Sequence, residues 1–406
     1  MPNQSDILIK NARLRGSEAL KDIGISGGKI QKVEKGLRAE AGSVVDAEAN
    51  LVTESFVNPH LHLCKVYTLQ MMDEDALTAY QGEGMGKAMT AIELAARVKE
   101  KYDETWIIEN VRKAVTQAAR YGNTHIRAFA DVDSKAKLEG VKALIRAREE
   151  FKGIVDIQVV AFAQDGWVRE PGTDRLMREA MKLGADVVGG IPWIEYTDAD
   201  ILQHVKEIFD LAVEFNKDVS MLVDDAGDAG LRSLELMAVE AIKCNWHGRA
   251  LAHHARAMAL YPTPYFQKVA ALLKQANMTV VSDPHTGPLH ARVKELLAEG
   301  ASVCLGQDDI SDAYYPFGRN NMLEVAFLAS HLLWMTTRAE METLYDMITV
   351  NAAKAMNVKG HELKVGANAN LVVLNQPNVL EALREHSAPR AVVSHGKVVD
   401  RTKMLS

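Results

Sequence analysis

The sequence predicts an α/β protein: a (β/α)8, TIM-like barrel with a small β-sandwich domain built from both termini. Three observations carry this expectation. Over residues 56–355, eight apolar, β-rich runs alternate with amphipathic stretches of helical period. Residues 1–55 and 356–406 read instead as short strands separated by turns. Polar residues of catalytic type stand just after the barrel runs, where a barrel collects its chemistry.

In chain order, ILIKNARL, DIGISGGKIQKV and SVVDAEANLVT alternate apolar and polar residues and are broken by Gly27-Gly28. ANLVVLNQP and RAVVSHGKVVD repeat this style near the C-terminus, the second with a glycine turn inside it. The eight barrel runs are SFVNP, NTHIRAFA, VDIQVVAFA, DVVGGI, DVSMLV, RALAHH, MTVVSD and SVCLGQD. Between them, AIELAARVKEKY, LMREAMKLG, ILQHVKEIFDLAVEF and VKELLAEG carry apolar residues at helical spacing. Several end in glycine, as helix C-caps do.

Composition narrows the function classes. The chain has 406 residues, 48% hydrophobic and 25% charged, an ordinary globular balance. That length suits one large α/β domain and one smaller one. Net charge is −7 and no Lys/Arg cluster stands out, which argues against a nucleic-acid partner. MPNQSDILIKNARL lacks a basic segment followed by an apolar one, so no signal peptide is expected. No apolar run is long enough to span a bilayer, and no membrane partner is expected. Cys64, Cys244 and Cys304 are odd in number and widely spaced, which fits neither a zinc ribbon nor a disulfide framework. A reducing cytoplasm is the expected location.

The most informative local feature is His60-Leu61-His62 in FVNPHLHL. Residues i and i+2 of a strand point to the same side, so both imidazoles project together from one strand end. That is the start of a metal site. Alone the pair says little, since most His-x-His pairs bind nothing; the other strand ends add the weight. The second run leads to Asp131 and Asp133, after Arg127, and the third to Gln164 and Asp165. Trp193 and Glu195 follow the fourth run, and Asp224 and Asp225 the fifth. His253 and His254 end the sixth, Asp283 and His285 the seventh, and Asp308 and Asp309 the eighth.

Structural roles stand beside functional ones. Arg127 and Asp131 also read as an internal ion pair, and Asp309 as a loop anchor. Trp193, Tyr314 and Tyr315 also read as packing, and Cys64 and Lys65 as surface or packing residues. His253 and His254 are strand neighbours and face opposite ways, so at most one points into the barrel mouth. Tyr67, Met71, Met72, Met85 and Trp193 are the rim candidates.

These motifs together resemble the amidohydrolase superfamily, specifically its cytosine deaminase branch, which also holds hydrolases that strip amino substituents from s-triazine rings. The likeness covers nearly the whole chain. PHLHL is similar to the first-strand metal motif. NTHIRAFADVD, VDIQVVAFAQDG and GADVVGGIPWIEYT resemble the second to fourth strand segments. GQDDISDAYYPFG resembles the eighth, and GANANLVVLNQP the C-terminal β-domain. The resemblance implies His60 and His62 as metal ligands, and Asp308 as the carboxylate that touches metal and attacking water. It places His254 near that water, as a possible fourth ligand. Gln164 would bond an acyl or ring amide edge of the substrate, with Tyr314 beside it; Asp309 and Trp193 are further substrate-binding candidates. It also implies one divalent metal ion (zinc first, iron or manganese as alternatives), a small heterocyclic substrate and a homo-oligomer.

The chain departs from the family at strand five, which normally supplies a metal-binding His followed by a carboxylate proton shuttle. Here the run reads Met221-Leu222-Val223-Asp224-Asp225. Leu222 stands at the ligand position and cannot bind a metal; Asp225 stands at the shuttle position. Gln307 precedes Asp308 where cytosine deaminases carry His. Either His254 swings in as a fourth ligand or Asp225 binds instead of shuttling.

The expected activity is metal-dependent hydrolysis of a C–N bond in a cyclic amidine or amide, first of all deamination of a cytosine-like or s-triazine ring. Asp308, Asp225 and His254 are its catalytic candidates. The alternatives are release of an N-alkylamine, opening of a ring amide, and, in another class, a non-catalytic, metal-poor small-molecule binder.

Overall fold

A computed structural model describes residues 4–38, 40–72 and 96–400 of the chain. Met85 and the first part of the AIELAARVKEKY stretch lie outside the described residues; residues 96–99 of that stretch are helical.

The middle of the chain forms the barrel. Its strands are β6 (Phe56–Leu61), β7 (Asn123–Asp131), β8 (Asp156–Ala163), β9 (Val187–Gly190), β10 (Asp218–Val223), β11 (Ala250–His254), β12 (Thr279–Ser282) and β13 (Ser302–Leu305). All eight coincide with the runs read from the sequence. They form one parallel sheet in which each strand pairs with the next in the chain. The sheet closes on itself through a parallel bridge between Leu61 and Asp308. Strands buried on both faces need apolar residues at nearly every position, which is why the sequence shows continuous runs here.

Helices cover the outside. α1 (Glu104–Arg120), α2 (Glu139–Glu150), α3 (Thr173–Leu183), α4 (Asp198–Phe215), α5 (Ser233–Lys243), α6 (Thr263–Gln275) and α7 (Val293–Ala298) follow successive strands. α8 (Met322–Leu332), α9 (Arg338–Met347) and α10 (Val350–Ala355) complete the wall. α3 ends at Gly184 in the left-handed conformation, which only glycine adopts without strain. α4 ends at Asn216 in the same conformation instead. Asn is the next best residue there.

The termini form two four-stranded sheets. One runs β3-β2-β1-β4, from β1 (Gln4–Ala12), β2 (Lys21–Ser26), β3 (Lys29–Glu34) and β4 (Glu40–Asp46). The other runs β16-β15-β14-β5, from β5 (Val52–Glu54), β14 (Leu371–Val373), β15 (Ala391–Ser394) and β16 (Lys397–Val398). Ile7, Ile9, Ile23, Ile25, Val52, Leu371, Val373 and Val393 bury their alternating faces in one shared core, as a sandwich does. A short helix, α11 (Val379–Glu385), lies between β14 and β15. Among the described residues, no helix is long and apolar enough to cross a membrane.

Candidate metal centre and pocket

The closure of the barrel builds the site. Strand β6 loses regular register between Asn58 and Leu61, where Pro59 has no N–H to give the ladder. The Asn58 side chain fills that gap. Its Oδ1 accepts from the backbone N–H of His60 and of Gln307, both at 3.2 Å, and its Nδ2 donates to Asn320 Oδ1 at 2.9 Å. The backbone then stitches directly across the seam. Asp308 N donates to His60 O at 2.9 Å and His62 N to Asp308 O at 2.8 Å. First and last strand ends are therefore held side by side, which brings the His pair to Asp308.

Asp308 Oδ1 lies 2.8 Å from His60 Nε2, 3.8 Å from His62 Nε2 and 4.0 Å from His254 Nε2. Donors about 2.1 Å from one tetrahedral metal ion stand about 3.4 Å apart, so these separations fit a divalent cation. Burial holds His62 well below the ordinary imidazole range, so its ring is neutral and has a lone pair to give. Burial also pulls His254 down, but Asp225, Asp283 and Asp308 outweigh it and raise it to about 9. At pH 7 that ring is protonated, so it can serve as a donor only after giving up that proton. Asp283 Oδ2 meets His254 Nδ1 at 2.7 Å and leaves Nε2 aimed at Asp308. A ligating imidazole is commonly oriented this way by a carboxylate behind it.

The structure corrects the expectation that His253 and His254 face opposite ways. Both rings approach His60, with centroids at 4.5 and 5.0 Å. His254 has a φ of +67°, so the strand pleat ends there and its side chain turns back inward. His253 pairs in register with Leu222, one rung below, and both project into the barrel.

Above this floor is a pocket open to solvent, with about 430 Å³ of space between its walls, that solvent included. His62, His254, Asp308, Asp309 and Asp225 line one side, Gln164 and Lys65 another. Ile191, Trp193, Leu222 and Tyr314 supply an apolar wall. All nine site residues named from the sequence are buried or in the cavity lining. Burial and the neighbouring Asp308 and Asp312 carboxylates push Asp309 well above the ordinary carboxyl range. The upward shift favours its protonated form, which can donate a hydrogen bond.

Other strand-end residues serve the scaffold. Arg127 does not pair with Asp131, because it lies four residues lower on the same strand. Its Nε donates to Gln158 Oε1 at 2.9 Å and Nη1 to Ser220 Oγ at 3.1 Å, and Nη2 faces Asp218 at 3.6 Å. Asp133 and Asp165 are held by the buried Lys99. Glu195 accepts the N–H groups of Trp167, Val168 and Arg169 and bonds His204 at 2.7 Å. Asp224 takes two backbone N–H groups at the start of α5, together with Ser233 and Tyr261 hydroxyls. Tyr67 packs under Lys113 and is not part of the pocket lining.

Sequence reasoning undervalued Lys65 and passed over Arg256. Lys65 is 5% exposed, donates to Gln164 Oε1 at 3.0 Å and lies 4.8 Å over the Tyr314 ring. Arg256 is 2% exposed and lines the cavity. A charged residue three places after His62 and another two places after His254 were the available signal.

Comparison with known proteins agrees with this geometry. The family described as "Amidohydrolase family" matches residues 43–400. Over 413 aligned positions the chain is 28% identical to N-isopropylammelide isopropyl amidohydrolase from Pseudomonas sp. (strain ADP), covering all of both proteins. The crystal structure of 5-methylcytosine deaminase from Klebsiella pneumoniae with phosphonocytosine superposes with a TM-score of 0.88 at 30% identity, over 97% of each chain. N-isopropylammelide isopropylaminohydrolase from Burkholderia multivorans gives a TM-score of 0.86 at 26% identity, over 97% of this chain and 98% of that one.

Proposed function

This chain belongs to the amidohydrolase family and hydrolyses a carbon–nitrogen bond other than a peptide bond, and we propose that its substrate is a single cytosine-like or s-triazine ring that loses an amino group. The observation that carries this reading is the approach of His60, His62 and His254 to one Asp308 oxygen beneath a pocket with both polar and apolar walls.

In this reading His60, His62 and Asp308 hold one divalent metal, with His254 as a fourth donor. When bound, that metal lowers the pKa of a water and makes it a nucleophile at neutral pH. Three imidazoles favour zinc; the missing strand-five imidazole leaves the site richer in carboxylate, which also suits iron or manganese. Asp225 takes a proton at the cavity wall and delivers it to the leaving nitrogen. Gln164, its Oε1 engaged by Lys65, presents its amide N–H to a ring carbonyl. Asp309 donates its carboxyl proton to a ring nitrogen. Trp193 and Tyr314 lie along the ring and keep water out.

A second reading is hydrolysis of an N-alkyl substituent. Leu222 and Ile191 favour it, because they put apolar wall beside the metal centre where an alkyl group needs it. The four converging donors weigh against a metal-poor binder. Three free thiols, two of them buried, support a cytoplasmic location; family likeness alone supports a homo-oligomer.

The test is metal content per chain by elemental analysis, followed by a product assay. About one zinc, iron or manganese per chain is expected. Free ammonia from an aminated pyrimidine or triazine supports the first reading, and free alkylamine the second. A protein that takes up no metal, or that releases neither product from a broad panel of such rings, overturns both.

A further inference from the structure

Leu222 creates a problem of coordination. It removes a neutral donor from the ligand position and puts a buried apolar side chain of similar bulk there. Asp225, three residues on, lines the same pocket as Leu222. An unrestrained Asp with a metal ion within reach becomes a ligand, and a ligand is a poor proton carrier.

Arg256 occupies the place from which this can be prevented. Its Nη1 donates to Asp225 Oδ1 at 2.7 Å. Its Nη2 donates to Thr286 Oγ1 at 2.5 Å and stands 3.7 Å from both Asp283 Oδ1 and Asp308 Oδ2. Thr286 Oγ1 in turn donates to the backbone carbonyl of Asp283 at 3.1 Å. The guanidinium is seated in a slot that Gly287 leaves open: a Cβ there would lie 3.1 Å from the Arg256 Cζ. Asp308 is thus gripped from two sides, its Oδ1 toward His60 and its Oδ2 toward Arg256. Among the described residues, the groups of candidate ligand atoms within 4.8 Å of one another are His60, His254, Asp283 and Asp308, and His62, Asp308 and Asp309. Asp225 is in neither group.

We propose that Arg256 is a positioning residue that holds Asp225 out of the metal's coordination sphere and so preserves it as the proton carrier in a site without a strand-five ligand. The inference rests on the metal-dependent reading above. It makes Arg256 and Leu222 a matched pair. The missing donor is tolerated because a fixed cation keeps the free carboxylate in place.

The experiment times zinc release from the loaded full-length protein into a chelator, for wild type, Asp225→Asn, Arg256→Gln and the double variant. Asp225→Asn is expected to release zinc within about twofold of the wild-type rate while kcat falls and KM holds, since Asp225 is no ligand. Arg256→Gln is expected to hold zinc about tenfold longer, and its zinc-bound crystal structure to show an Asp225 oxygen about 2.1 Å from the metal. The double variant is expected to lose that gain.

A tenfold faster release from Asp225→Asn would overturn the inference, because Asp225 would already be a ligand. So would an Arg256→Gln protein with unchanged release and an unmoved Asp225. If Arg256→Gln fails to fold, Asp225→Asn can still overturn the inference, and Arg256→Lys, which keeps a shorter cation there, is expected to give intermediate release. A wild-type protein that takes up no metal overturns the metal-dependent reading and this inference with it, an outcome distinct from either of these.

Discussion

A Cβ at position 306 would lie 2.6 Å from the Cβ of His60 and 3.2 Å from Val281 Cγ1. Gly306 therefore lets the last strand come close enough to the first for Asp308 to reach the imidazoles. Gly306→Ala is expected to push His60 off Asp308 and to cost about 1–3 kcal/mol of stability by overpacking. Metal per chain should fall while the circular dichroism spectrum stays that of the folded protein; unchanged metal content would show that the seam has slack. His60→Ala is expected to abolish metal retention outright, since it removes the donor 2.8 Å from Asp308. Elemental analysis of the purified variant checks this. Lys65 and Arg256 illustrate why single residues were hard to rank in sequence. A lysine after a His pair and an arginine in HHARAM look like solvated charges, and burial alone shows that they are not.

At the scale of elements, loop clasps hold the mouth. Glu195 gathers three backbone N–H groups after β8 and pairs with His204 of α4. Burial raises its pKa, but His204 and the N–H donors outweigh it, and the folded value lies below the ordinary one. A lowered carboxyl pKa contributes stability that is complete above the unfolded value, about 4.3, and is lost as pH falls through the lower folded value. Glu195→Gln is expected to cost about 1.5–3 kcal/mol at pH 7. The gap in urea midpoint between the two proteins should close as pH drops below about 4. A gap that stays constant into acid would mean that the carboxylate charge contributes nothing. The Asn58 brace was visible in FVNPHLHL only as a polar residue before a proline. That it spans β6 and β13 depends on barrel closure, which no local pattern encodes.

Across the whole molecule, the β-sandwich is pinned to the barrel by charged pairs. Arg15 bonds Glu342 at 2.7 Å and Asp346 at 2.6 Å on α9. His395, in the turn between β15 and β16, meets Asp156 at the start of β8 at 3.0 Å. The Asp156 contact raises the His395 pKa. A raised imidazole pKa contributes stability that is complete below the unfolded value, about 6.5, and is lost as pH rises through the folded value. Both groups are about two-fifths exposed, so the effect on stability is small. The His395 ring should titrate above about 6.5 by NMR and return toward that value in Asp156→Asn. An unchanged midpoint in the variant would remove Asp156 as the cause.

The sequence by itself determined the barrel, because strands buried on both faces must be apolar at nearly every position and their eight runs are visible without neighbours. It also determined the sandwich strands and the His60–His62 pair, since alternation and i, i+2 spacing are local properties of a chain. Only the tertiary structure decided what the polar residues do. Arg127 reaches Asp218 instead of Asp131, and His253 turns inward with His254. Asp224 caps a helix while Asp225 faces the cavity, and Arg256 stands among three carboxylates. Those outcomes depend on which strand ends meet when the sheet closes. The contacts involved join residues tens to hundreds of positions apart, and spacing along the chain does not record them.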